Sequence, residues 1–197
     1  MTNIVSQISV HQEHEFLAKL EAAGLTGPLA QKVIESRGNV LAKEIVGLIR
    51  GPQPDYPSFF VTVDYGQTVE QLIRNGRYDW VNSDINGRNF PSSERGRAQI
   101  DIFLLNFDHD ISSEDAIREM AKQGLRPATL KELLALGTAF PDLQRENPIV
   151  ALGSTCRDPD GSLHVPCLCG GGSRRNLDLT WFEGDWDPLW RFAAVRK

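Results

Sequence analysis

The segment Gly51-Pro52-Gln53-Pro54-Asp55-Tyr56-Pro57 places three prolines in seven positions, and no helix or ladder strand can run through it. Each proline lacks a backbone donor, and its ring clashes with the preceding helical turn. The residue before each proline is driven toward extended backbone. The break separates two stretches of unlike patterning, so the sequence predicts a helical segment over 1–50, a linker over 51–57 and a main domain over 58–197.

Before the break, apolar residues recur at helical spacing: Phe16, Leu17, Leu20 and Ala23, then Leu29, Val33 and Ile34, then Leu41, Ile45, Val46, Leu48 and Ile49. Three short helices are expected, divided at 24–27 and 37–39. Pro28 suits a first helical turn, where its missing donor costs nothing. Helices this short do not persist alone in water, so their stripes must be buried against something. Docking on the main domain, recruitment of another protein and oligomerisation through these helices all satisfy that demand.

After the break, aromatic and β-branched residues over 58–63 read as a strand, 68–75 as a short helix and 100–107 as a second, buried strand. Ser112 and Ser113 supply capping hydroxyls for a helix whose apolar face is Ala116, Ile117, Met120 and Ala121. Glu114 and Asp115 oppose its positive end, and Gly124 ends it. Thr129 caps a second helix over 130–136, with Glu132 in its first turn. From 149 onward, strand-like runs at 149–152, 162–168, 176–182 and 190–195 are divided by Gly, Pro and Asp, with Asp158-Pro159-Asp160-Gly161 the clearest turn. Helices followed by strands predict an α+β fold.

A chain of 197 residues with net charge -5 suits one compact domain with an accessory piece. From residue 99 onward there are 15 acidic residues against 11 basic ones, so no basic field exists to hold a phosphate backbone, and no nucleic-acid partner is expected. No apolar run approaches ~18 residues, and charges crowd the first thirty positions. No membrane partner and no export are expected. Three cysteines confined to the last quarter fit a reducing compartment, so the expected location is cytoplasmic.

Cys156, His164, Cys167 and Cys169 fall within fourteen positions, but they lack the C-x2-C pairs that wrap a structural zinc. Cys167 and Cys169 on one strand point their sulfurs to the same face. They are expected to be thiols, with no metal and no cofactor. Asp108-His109-Asp110 is expected to be a solvated loop. The Gly170-Gly171-Gly172-Ser173 run is followed by neither Lys-Ser nor Lys-Thr, so no phosphate loop is expected. No spacing signs an enzyme class.

The segment from Arg174 to Phe192 carries the most information. Strand alternation puts Leu177 and Leu179 on a core face and Asn176, Asp178 and Thr180 on an available one. Trp181, Trp186 and Trp190 stand among Glu183, Asp185 and Asp187, a mixture typical of binding surfaces. Trp181 is expected in the core, and the other two at least partly so.

Ser113-Glu114-Asp115-Ala116, followed by Gly124-Leu125-Arg126-Pro127-Ala128-Thr129-Leu130-Lys131-Glu132-Leu133, resembles the helix and the G-x-R-L-P-T-x-x-E-W turn of C-type-lectin-like domains related to the formylglycine-generating enzyme. The closing Trp190-Arg191-Phe192-Ala193-Ala194-Val195-Arg196 is similar to their terminal G-F-R strand. Together these cover about half the chain, residues 99–197. The tail resembles most the variable proteins of diversity-generating retroelements in prokaryotes and phages, which display a mutable ligand-binding face on this fold.

The resemblance implies a non-enzymatic, non-covalent ligand-binding protein with a macromolecular, protein ligand. Its sites would be Asn176, Asp178, Thr180, Glu183, Asp187, Pro188, Leu189 and Trp190, with Arg174 beside them. Asn, Asp, Thr, Pro and Leu can arise from Asn codons by adenine changes, whereas Glu183 and Trp190 cannot. No calcium triplet of the lectin type is present. The alternative is an oxidoreductase of the formylglycine-generating type using Cys167 or Cys169.

Overall fold

A computed structural model describes residues 9–37, 40–42, 44–45 and 56–197. The chain divides into two units, residues 1–53 and 54–197. Most of the proposed linker, 51–55, lies outside the described residues.

In the first unit, α1 (Val10–Ala22) starts at Ser9, whose hydroxyl accepts from the Gln12 amide while the Gln12 side chain accepts from the Ser9 amide. Helix α2 (Gly27–Glu35) carries Pro28 in its first turn. Helical backbone recurs at 40–42 and 44–45. No described residue of this unit is buried, and Phe16, Leu17, Leu29 and Ile34 are exposed. Among the described residues, no helix is long and apolar enough to cross a membrane.

The second unit is α+β, with one mixed sheet carrying helices on both faces. Its elements are β1 (Ser58–Asp64), α3 (Val69–Gly76), β2 (Trp80–Val81), β3 (Arg97–Leu105), β4 (Ile111–Ser112), α4 (Ser113–Lys122), β5 (Leu125–Pro127), α5 (Leu130–Ala139), α6 (Leu143–Glu146), β6 (Ile149–Val150), β7 (Cys156–Arg157), β8 (Leu163–Gly171), β9 (Arg174–Trp181), β10 (Asp185–Trp186) and β11 (Arg191–Arg196). The main sheet runs β1-β3-β11-β6-β8-β9-β2. Strand β5 joins β11, β7 joins β8, and β10 pairs separately with β4. The β11·β6 and β9·β2 pairs are parallel, and the others are antiparallel.

Period-2 alternation explains why the sheet is covered twice. Ile102, Leu104, Leu168, Leu177, Ala193 and Val195 pack with α3 and α5. Their neighbours Phe103, Leu105, Cys167, Phe192 and Ala194 pack with Ala116 and Met120 of α4. The last strand, β11, therefore lies inside the sheet and touches both cores.

The α4 and α5 starts follow from sequence. The Ser112 hydroxyl accepts from the Asp115 amide at 3.1 Å. At α5, Glu132 Oε2 accepts from the Thr129 amide at 2.7 Å. Arg126 Nη2 donates to Glu132 Oε1 at 2.7 Å, Arg126 Nη1 donates to Glu132 Oε2 at 3.0 Å, and the Tyr65 hydroxyl donates to Oε1 at 2.7 Å. Burial pushes the Glu132 carboxyl up, yet Arg126, the Thr129 amide and Tyr65 together hold it below the usual carboxylate range.

Candidate ligand-binding face

Strand β9 separates a buried row from a half-exposed row. Arg175 and Leu177 are buried, while Asn176, Asp178 and Thr180 are half-buried on the opposite face. Leu179 is half-buried against the first core. Antiparallel register sets Asn176 opposite Cys169, Asp178 opposite Cys167 and Thr180 opposite Val165, so these residues share the face that α4 covers further along the sheet. The side-chain Oδ1 of Asn176 is itself buried and lacks a partner among the described residues.

Arg175 fixes this strand from beneath. Its guanidinium donates to the carbonyls of Gly76 and Gly137 at 2.7 and 2.6 Å and lies 4.9 Å from the centre of the Tyr78 ring. Those carbonyls belong to the last residue of α3 and the last turn of α5. A buried arginine thereby answers two helix ends whose carbonyls have no intrahelical partner.

Two residues of this face were not among the sequence expectations. Trp80 on β2 pairs with Asn176 and is 49% exposed. Asn82 continues the same row, and its Nδ2 donates to Asp178 Oδ1 at 3.0 Å. The aromatic alternation in Tyr78-Asp79-Trp80-Val81 is a short-strand signal that could have flagged them.

Beyond β9, the chain is anchored by its backbone and by one tryptophan. Trp186 is buried, and its Nε1 donates to Ser113 Oγ at 2.8 Å. Ser113 Oγ in turn donates to the Phe182 carbonyl at 2.6 Å. Half-buried Trp190 meets the Trp186 ring edge-on at 4.7 Å. Asn106 Nδ2 donates to the Pro188 carbonyl at 2.7 Å, and Arg191 Nη1 reaches the carbonyls of Pro188, Leu189 and Trp190 at 3.0 to 3.2 Å. Asn106 and Arg191 thus hold the main chain of 188–190, while Glu183, Asp187, Pro188 and Leu189 are exposed. Arg174, at the hairpin tip, is exposed as well.

One expectation needs correction: Trp181 is not in the core but 57% exposed. It shares the face of Leu177 and Leu179, yet it stands at the end of β9, where its ring rests on His164 at 4.4 Å between centroids.

The remaining sequence candidates are also located. Asp108, His109 and Asp110 are exposed between β3 and β4. The glycine run is the tip of the β8–β9 hairpin, where Gly172 takes φ +62°. Gly170 lies so close to the Arg174 carbonyl that a Cβ would sit 2.5 Å from its oxygen. All three cysteines are free, and Cys167 is buried. A hydrogen bond between the Cys167 and Cys169 thiols raises the first and lowers the second. Among the described residues, no group of three His, Cys, Asp or Glu side chains converges to hold a metal ion.

No family model, curated protein or solved structure matches this chain.

Proposed function

We propose that the second unit is a C-type-lectin-like domain of the kind diversified by retroelements, binding a protein ligand non-covalently. The face comprises Asn176, Asp178 and Thr180 on β9, exposed Glu183, Asp187, Pro188 and Leu189 with half-buried Trp190, Arg174 at the hairpin tip, and Trp80 and Asn82 beside them. The observation that carries this reading is the division of labour over 188–190. Asn106 and Arg191 bind the main-chain carbonyls there, so the fold does not depend on which side chains Pro188 and Leu189 present. A surface meant to change its residues needs such a support.

The mixture of exposed indole, amide and carboxylate suits a flat protein epitope, in which a few aromatic anchors supply most of the energy. Charged rim groups such as Glu183 and Asp187 would set the association rate more than the affinity. The resemblance in the α4–α5 segment also supports the reading. Its Arg and Glu are Arg126 and Glu132, which lock that turn to the sheet.

The test is genetic. The reading expects a reverse transcriptase gene nearby and a near-copy of the DNA encoding residues 176–190 that differs from it at adenines. A locus lacking both would contradict diversification and leave ordinary protein binding to be tested separately.

A further inference from the structure

Lys131, the second residue of α5, is only 7% exposed, and its Nζ donates to the Tyr65 carbonyl at 2.7 Å. It forms no ion pair with a carboxylate among the described residues. Glu132, its neighbour in sequence, is taken by Arg126, Tyr65 and the Thr129 amide. An ammonium removed from water and given one neutral acceptor is costly unless an anion completes its shell.

The space for that anion is present. Lys131 lines a cavity of about 350 Å³ together with Gly66, Thr68, Glu70, Ser92 and Arg95. Thr68, the N-cap of the eight-residue helix α3, also lines this space, but its amide already donates to Gln71 Oε1 and its hydroxyl accepts from the Gln71 amide, so the charge for an anion must come from Lys131 and Arg95. Arg95 engages its Nη1 with the carbonyls of Ser92 and Glu94 at 3.0 and 2.8 Å. Glu70 is the opposing charge, but its Oε1 accepts from the Gly87 amide at 2.7 Å. Two cations against one carboxylate leave the lining net positive.

We propose that this cavity binds a phosphate group carried on a small organic molecule, with Lys131 and Arg95 as its charge partners. Lys131 from α5, with Arg95 and Ser92 from the 92–95 loop, brings two cations and a hydroxyl to the space, which suits the three oxygens and greater charge of a phosphate better than a singly charged carboxylate. A water molecule occupies about 30 Å³ of liquid, so the cavity exceeds the bulk of an orthophosphate ion and leaves room for a carrier. The site shares no residue with the proposed ligand face and stands independently of it.

The test is calorimetric titration of the intact chain with glycerol 3-phosphate, inorganic phosphate and acetate at matched ionic strength. Glycerol 3-phosphate should saturate the site, inorganic phosphate should bind more weakly, and acetate should not saturate. Lys131→Gln and Arg95→Gln should each weaken glycerol 3-phosphate binding by about tenfold or more, the scale of one charge-assisted hydrogen bond. Lys19→Gln, on α1, should change nothing. No saturation by either phosphate, equal binding of acetate, or binding unchanged in both variants would overturn the assignment. Equal affinity for the two phosphates would overturn the organic-carrier half of it. If thermal melting shows Lys131→Gln to be unfolded, Arg95→Gln and Ser92→Ala decide the question on folded protein.

Discussion

Trp186 and Ser113, 73 residues apart, are joined by a hydrogen bond of 2.8 Å from the indole Nε1 to the hydroxyl. The Ser113 hydroxyl in turn donates a hydrogen bond to the Phe182 carbonyl, so the first residue of α4 secures both ends of the turn that follows β9. Ser113→Ala removes one acceptor and one donor at a fully buried position. Urea unfolding should show a loss of about 1–3 kcal/mol, the cost of leaving buried polar groups unpaired. A loss no larger than that of an exposed substitution would mean that the turn is held by other contacts.

The two faces of β9 should respond differently to truncation. Leu177→Ala empties a fully buried site and should cost about 2–5 kcal/mol. Thr180→Ala should cost less than about 0.5 kcal/mol, as surface changes do. Asp178→Ala should fall between them at about 1 kcal/mol, because Asp178 accepts from Asn82 and from the Leu179 amide. Denaturant midpoints at unchanged slope provide the comparison. Equal losses at all three positions would erase the distinction between core and display rows.

Acid should loosen the turn that joins β5 to α5. The Glu132 carboxyl lies below its ordinary value in the folded chain, so it binds a proton less readily when folded than when unfolded. Its stabilisation is fully present above the unfolded value of about 4.3 and is lost as pH falls through the lower folded value. Glu132→Gln should flatten the fall in stability below about pH 4.3, while lowering stability at pH 7 because Arg126 loses its counter-charge. Unfolding curves from pH 7 to pH 3 check both outcomes, and a variant with the parent's acid profile would refute the linkage.

The thiols should be ranked by their surroundings. The hydrogen bond from Cys167 lowers the half-buried Cys169 thiol, whereas burial, with Asp84 and Asp158 nearby, raises that of Cys156. Cys167 is raised and also buried. Since the thiolate is the reactive form, timed alkylation at pH 7.5 followed by peptide mass spectrometry should label Cys169 first, Cys156 next and Cys167 last. Labelling of Cys167 ahead of Cys169 would reverse the direction of their hydrogen bond.

Much of the second unit was legible because its signals are local. The α4 cap at Ser112, the α5 turn at Thr129 and Glu132, and the turn from Asp158 to Gly161 each depend on residues within four positions. The alternation of Leu177 with its neighbours is local as well. What could not be read depends on distance. β2 and β10 are two residues long, and the bond that marks the β2 edge, from Asn82 to Asp178, spans 96 positions. Trp181 shows the same limit. Its parity is legible, but whether anything covers the last residue of β9 is decided by packing, and among the described residues Trp181 is left exposed. β3 and β8 begin and end a few residues from the expected positions because pairing with their neighbours β1 and β9, not composition, sets their limits.

In the proposed function, side chains on the outer row of β9 and on the following segment make the ligand contacts. The most direct measurement is a pair of binding isotherms, one for the intact chain and one for a variant with alanine at Trp80, Asn176, Thr180, Glu183, Pro188 and Leu189, against a purified partner obtained by affinity capture. These six side chains are exposed or half-buried, and none hydrogen-bonds another described residue through its side chain, so circular dichroism and melting should show the variant folded. Its affinity should fall by about a hundredfold or more, as loss of the Trp80 anchor and its surround requires. A folded variant that binds its partner as tightly as the parent would contradict the proposed function and place the ligand face elsewhere.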